Sequence, residues 1–330
     1  FIGKMNGLKL ELDLKKGALE TDIKSLKKAA RQTIGPELEK RIQIIIDTGL
    51  IELKNDFKIY WNSCPIARLC AGNDYISPNF DLIIDDIIEP VQKQKLYNYI
   101  NSWLQNKINL VLKSLIDLKN LKDKNSSIKA LAFQLYENNG VLKREQVSEY
   151  LKTLGQNERK ILRELGVKFG RYHVFLYQLI KPEAVYLRTL LWKNFHQKYN
   201  NIQPPTFGLN FLDDKENKNK SFMLLCGFEK FDSLFVRIDI LERLFILIIN
   251  SSESKQNKEI KLIPEMLNLL GCSKDNFKKL LRIMGYKVFD KENDTFFKYS
   301  PIKKFKKISR QKVSDENPFK ILKDLNLGKL

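Results

Sequence analysis

The sequence predicts an α+β protein, mainly α with small β-hairpins, in which a helical region accompanies two copies of one helix–helix–hairpin unit. Three observations predict this. The stretch "LRELGVKFGRYHVF" from Leu162 is echoed by "LRIMGYKVFD" from Leu281, both reading Leu-Arg-x-(Leu/Met)-Gly-(Val/Tyr)-Lys. Apolar residues recur at spacings of three and four over most of 81–121, as on one face of a helix. The length of 330 residues exceeds the usual size of one core, since a domain takes about 100–200 residues.

Residues 1–80 read as a small mixed α/β module. "FIGKMNGLKLELD" is strand-like, and "FIGKMNG" is echoed by "PIARLCAG" at Pro65 to Gly72. The second copy follows "DFKIYWNS", an alternating strand that ends in a turn at Asn62-Ser63. The first copy lacks such a leader and the chain begins at Phe1, so truncation at the amino terminus is expected. Between the copies, "TDIKSLKKAARQTIG" and "PELEKRIQIIIDTG" read as two helices, the second opened by Pro36 and each closed by glycine. From Asp81 to residue 203 the pattern is helical, divided at Pro90. Asp85, Asp86 and Glu89 lie beside the apolar stripe without a partner cluster and read as a solvated face rather than a metal site.

The first unit, about 127–180, consists of helices in "SIKALAFQLYENNG", "KREQVSEYLKTLG" and "QNERKILRELG", then strands in "VKFGRYHVFLYQLI". A linker follows over 204–221. The second unit, 222–300, repeats the order with "RIDILERLFILIIN", "LIPEMLNLLG", "SKDNFKKLLRIMG" capped by Ser273, and a hairpin in "YKVFDKENDTFFKYSP". This is the order of a winged helix, and the doubled motif marks the end of its third helix and the start of its wing. Gly166 and Gly285 fit an exit needing left-handed backbone, which a Cβ penalises. On one third helix Ile161, Leu162 and Leu165 pack while Arg159 and Arg163 share another side. On the other, Phe277, Leu280, Leu281 and Met284 pack while Lys274, Lys278 and Arg282 are free to meet phosphates. With Lys168, Arg171, Lys279 and Lys287 these cations form the expected nucleic-acid-binding set. Residues 301–330 form a basic tail ending in a short helix, with Phe319, Leu322 and Leu325 on one side as a docking surface for a protein partner.

The formal net charge is +19, from 58 Lys+Arg against 39 Asp+Glu, which favours polyanions and resists acidic partners. Cys64, Cys70, Cys226 and Cys272 have neither CxxC spacing nor histidine neighbours, so no zinc site or disulfide framework is expected. No uninterrupted apolar run reaches the ~18 residues of a membrane span, and a soluble, cytoplasmic protein without membrane partners is expected. GxxxxGK(S/T), GxGxxG, GxSxG and HExxH are absent. With no triad around His173 or His196, no catalytic residue is assigned, and no metal or cofactor site within this chain.

The order of "IGKMNGLKLELD", "IYWNSCPIARLCAG", "GVLKREQVSEYL", "LGVKFGRYHVFLYQLIKPEAVYLRTLLW", "GFEKFDSLFVRIDILERL", "LLRIMGYK" and "ENPFKILKDLNLG" resembles the carboxy-terminal half of bacterial ATP-dependent helicases related to the mitochondrial degradosome RNA helicase. The resemblance spans essentially the whole chain, and "GVKFGRYHVFLYQLIKPE" is its most distinctive part. It implies two upstream RecA-like motor domains in cis, which bind ATP and Mg2+ and move along RNA or DNA. Their Walker and DExH residues have no counterpart here, so ATP hydrolysis is expected of the parent polypeptide only. The function expected of this chain is to bind nucleic acid, RNA in the first instance, beside the motor. The alternative is a stand-alone, non-enzymatic nucleic-acid-binding or scaffold protein.

Overall fold

A computed structural model describes residues 3–12, 20–86, 88–121, 126–199, 201–214, 219–252, 259–291 and 294–300. The basic tail and its expected docking helix lie outside them. Mixed helix and small antiparallel sheets make up the described chain, consistent with an α+β class.

The amino-terminal part opens with a hairpin of β1 (Gly3–Asn6) and β2 (Lys9–Leu12), followed by one long helix, α1 (Glu20–Thr48). Sequence alone suggested two helices broken at Pro36, yet Pro36 lies inside α1. An internal proline costs ~3 kcal/mol. Burying Leu38, Ile42 and Ile45 on the next turns, each at most 1% exposed, offsets that cost. Strands β3 (Ile51–Leu53), β4 (Lys58–Trp61), β5 (Cys64–Asp74) and β6 (Ser77–Leu82) form a four-stranded antiparallel meander. The turn expected at Asn62-Ser63 joins β4 to β5, and both residues have positive φ, as the two-residue turn matching strand twist requires. Helix was expected from Asp81, but Asp81 and Leu82 pair with Arg68 and Ala67 in β6. Helix α2 (Pro90–Val111) begins at Pro90, which opens it because a first-turn residue has no N–H bond to lose.

Leu96, Ile100, Leu104 and Ile108 form the buried stripe of α2, which continues into α3 (Lys113–Lys119). One apolar cluster runs from Leu8 on the amino-terminal hairpin to Leu191, so the stretches read separately as 1–80 and 81–203 share a core.

The first unit comprises α4 (Ser126–Glu137), β7 (Val141–Lys143), α5 (Ser148–Thr153), α6 (Gln156–Glu164), β8 (Val167–Phe169) and β9 (His173–Leu176), with sheet order β7-β9-β8. Helix α7 (Pro182–Phe195) leads out of it, and a strand, β10 (Phe211–Asp213), lies within the stretch read as linker. Then come α8 (Lys220–Leu225), β11 (Phe228–Phe231) and β12 (Leu234–Arg237), in sheet order β10-β12-β11. Finally α9 (Ile238–Ser252), β13 (Ile260–Lys261), α10 (Pro264–Leu270), α11 (Lys274–Ile283), β14 (Tyr286–Lys291) and β15 (Asp294–Tyr299) give order β13-β15-β14.

The motif noticed twice in sequence therefore occurs three times in structure. Gly166, Gly227 and Gly285 each leave a helix at φ 91°, 85° and 88°. Each donates its N–H to the carbonyl three residues back, on Arg163, Leu224 and Arg282. Each accepts at its own carbonyl from the residue after the hairpin, Tyr177, Ile238 and Ser300. The next residue, Val167, Phe228 or Tyr286, is buried. In the middle copy α8 is the only described helix between β10 and the hairpin, where the other copies have two.

Arg188 of α7 joins these parts. It is fully buried, and its guanidinium donates to the carbonyls of Asn139, Leu179 and Leu225 at 2.7, 2.8 and 2.7 Å. Those carbonyls end α4, the turn after β9, and α8, so one side chain ties the first copy to the middle one.

Candidate nucleic-acid interface

The first hairpin carries the densest set of expected cations. Lys168 is exposed on β8 because its neighbours Val167 and Phe169 turn toward the core in the alternation of a strand. Arg163 projects from the last turn of α6, and Arg171 sits in the three-residue turn between β8 and β9. Each rests on an aromatic ring. The Arg163 guanidinium lies 5.7 Å from the Phe169 centroid, Lys168 Nζ 4.0 Å from that of Tyr177, and the Arg171 guanidinium 5.4 Å from that of Phe245 on α9. All three rings are half-buried. Cation–ring contacts of this kind hold the charge over an apolar face while leaving it hydrated.

Two clefts share Lys168, Phe169 and Tyr177. One, of about 420 Å³, is bounded by Arg163, Gly166 and Gln178; the other, of about 310 Å³, by Arg171, Arg243, Phe245 and Ile246. Acidic residues border only the second, and both are already engaged. Asp239 takes two hydrogen bonds from Arg237 at 2.7 and 2.9 Å. Glu242 accepts the backbone N–H groups of Arg171, Tyr172 and His173, the last two at 2.9 Å. The groove thus presents positive charge held over half-buried rings.

The turn that carries Arg171 is fixed from both sides. Arg144 Nη1 donates to the Gly170 carbonyl at 2.7 Å, and Gly170 N–H donates to His173 O at 2.8 Å. Behind it, His173 is 2% exposed, with Nε2 3.1 Å from Glu229 Oε2 and Nδ1 3.5 Å from Glu242 Oε1. Lys143 meets the other oxygen of Glu229 at 2.8 Å. Burial pushes the imidazole pKa down, but Glu229 and Glu242 outweigh it and hold His173 above its ordinary value. Burial likewise opposes ionisation of both glutamates, but His173 beside each of them, with Lys143 at Glu229 and the turn N–H groups at Glu242, brings them below the usual carboxylate range.

The other expected cations fall into two classes. Arg159 is half-buried and turned inward, donating to Leu151 O at 2.8 Å. In the second unit Lys278 binds both oxygens of Asp290, at 2.9 and 3.0 Å, and its side chain is 16% exposed. Lys279 donates to Ser233 Oγ at 2.8 Å and stands 3.8 Å from Asp232. Lys274, Arg282 and Lys287 are exposed. Ser273 caps α11 as expected, accepting from the N–H of Asn276 at 3.2 Å.

Sequence reasoning did not single out Phe169, Tyr177 or Phe245. Alternating Lys, Phe, Arg and Tyr in "VKFGRY" carried the signal for the first; Phe245 is distant in sequence and no local pattern marks it. His196 rests against Trp192, ring centroids 4.5 Å apart. Among the described residues no group of three or more His, Cys, Asp and Glu could hold a metal ion, and no helix is long and apolar enough to cross a membrane.

No protein-family model, curated protein or solved structure matches this chain.

Proposed function

We propose that this chain binds single-stranded nucleic acid along the first hairpin, as the accessory region of an ATP-dependent helicase. The observation that carries the binding is the pairing of Arg163, Lys168 and Arg171 with Phe169, Tyr177 and Phe245 along two adjoining clefts. Single strands are bound by positive grooves that follow the phosphates and by aromatic faces on which bases stack, each worth about 1–3 kcal/mol. Phe169 and Tyr177 are packed against the core, and a base would stack on these rings by taking the place of the cation now over each, freeing it to meet a phosphate.

Helix, strand, two helices and a hairpin, with the first strand beside the last, support reading the first and last copies as winged-helix-like. In that reading α6 and α11 correspond to the helices that precede the wing. The helicase context rests on the sequence resemblance alone. ATP and Mg2+ belong to motor domains in that context, and no step proposed for these residues runs through them. RNA is the expected ligand and the upstream motor the expected partner in cis.

The test is the salt dependence of binding to a labelled oligouridylate. Removing one phosphate contact lowers the log–log slope by ~0.7 on single strands, so R163A/K168A/R171A should lower it by ~2. An unchanged slope would remove these residues from the interface. For the context, the polypeptide isolated from its source should be far larger than 38.7 kDa and should hydrolyse ATP when RNA is added. A native mass near that value would leave a stand-alone binding protein.

A further inference from the structure

We propose that His173, Glu229 and Glu242 form a proton-operated lock on the Gly170–Tyr172 turn, closed when the imidazole is protonated, and that this lock sets nucleic-acid affinity in the groove. The second half rests on the binding function just proposed. The first stands on geometry.

A neutral imidazole has one donor and one acceptor, whereas a carboxylate only accepts. His173 has a carboxylate near each ring nitrogen, hydrogen-bonded at Nε2 at 3.1 Å and only in ionic contact at Nδ1, 3.5 Å away, where it makes no hydrogen bond. Only the imidazolium puts a proton against each. When it loses a proton, the shorter contact keeps the remaining hydrogen on Nε2, against Glu229. The Nδ1 lone pair then faces Glu242 Oε1 in a site where neither side chain has much access to water, at 3% and 11% exposure. Glu229 retains a second cation, Lys143, on its other oxygen. Among the described residues Glu242 has no such cation, and it is the carboxylate that holds the turn through the N–H groups of Arg171, Tyr172 and His173. The repulsion therefore falls on the group that positions Arg171 over Phe245.

The neighbouring charges do not relieve it. From the turn, Arg171 points to the groove and Tyr172 packs against Phe245 and Tyr286. After β7, Arg144 is committed to Gly170 O. On α9, Asp239 is paired with Arg237 from the end of β12, and Arg243 is exposed at the cleft. On β11, Lys230 lies over the Phe235 ring. The three groups of the lock come from β9, β11 and α9, one from each copy of the repeated unit or the helix that begins it. His173 thus reads the joint between the copies. Its pKa, held above the ordinary 6.5 by the two carboxylates, places the release above that value.

The experiment measures oligouridylate binding by the full chain, at constant ionic strength, from acid to mildly alkaline pH, for wild type and H173Q. Glutamine carries its donors on one nitrogen instead of one on each side of a ring, bears no charge and has no proton to lose. Wild-type affinity should fall about fivefold or more as pH rises, a typical coupling between sites, whereas H173Q should be weak and flat. Parallel profiles for the two would overturn the lock. Because the chain has only two histidines, imidazole NMR on wild type, assigned with H196Q, tests it even if H173Q does not fold. His173 must lose its second proton above 6.5 and at higher pH than His196; a ring that titrates below 6.5 overturns the proposal. Wild-type protein that binds no oligouridylate at any pH would remove the nucleic-acid half and the binding function with it. The NMR titration and the pH dependence of Tm would still decide the lock.

Discussion

Replacing Gly170 with alanine tests how the groove is held. A Cβ at this position would sit 2.4 Å from the Glu242 carboxyl carbon and 2.6 and 2.7 Å from its oxygens, closer than real Cβ contacts. Its φ lies outside the left-handed region, so the cost falls on Glu242 and not on backbone conformation. The carboxylate must retreat from three N–H donors and from His173. Hydrogen bonds to charged groups contribute about 1.5–3 kcal/mol each, but water can reach this surface turn and replace part of them, so a loss of about 2–4 kcal/mol is expected. Urea unfolding at unchanged m gives the number. The double-mutant cycle with E242A decides the cause. If the clash is with Glu242, G170A should cost little in the E242A background; additive losses would refute the reasoning, since residues in contact are expected to couple.

The same structure makes opposite predictions for another glycine. Gly35 lies inside α1 with open space where a Cβ would go, so G35A should raise stability by about 0.5–1 kcal/mol in urea unfolding. Removing the α11 cap with S273A should cost about 1 kcal/mol, seen in the same assay. Stability should also depend on pH in two limbs. The His173 contribution, with pKa raised from 6.5, is full below that value and lost as pH rises through the raised one. The Glu229 and Glu242 contributions, with pKa lowered from 4.5, are full above that value and lost as pH falls through the lowered ones. Tm should therefore be highest between 4.5 and 6.5, and H173Q should remove the alkaline limb.

Local signals made the two outer copies legible. Apolar spacing placed α4, α6, α9 and α11, a serine marked one cap, and two glycines marked left-handed exits, all of them effects confined to a few neighbouring residues. What failed were elements settled by distant contacts. Pro36 argues for a break locally, and only the core beneath Leu38, Ile42 and Ile45 overrules it. Strand β10 has three residues and acquires its identity from pairing with β12. Among the expected site residues, charge alone does not distinguish the exposed Arg163, Lys168 and Arg171 from Lys278, whose partner Asp290 lies on β14, 12 residues along the chain.

The middle copy explains why the groove lies where it does. After the left-handed glycine, the first residue of each hairpin is buried and the second is Lys168, Glu229 or Lys287. In the outer copies that second position is exposed and cationic; in the middle copy it is acidic and 3% exposed. A lysine there would place a third cation beside His173 and Lys143 in a buried site. The glutamate instead joins the first copy to the middle one, while Glu242 joins the last to the first. One repeated backbone position thus serves two purposes, meeting solvent in the outer hairpins and binding the copies together in the middle. The first hairpin stands between those two carboxylates, which fix its turn and leave Arg163, Lys168 and Arg171 on the side facing the clefts.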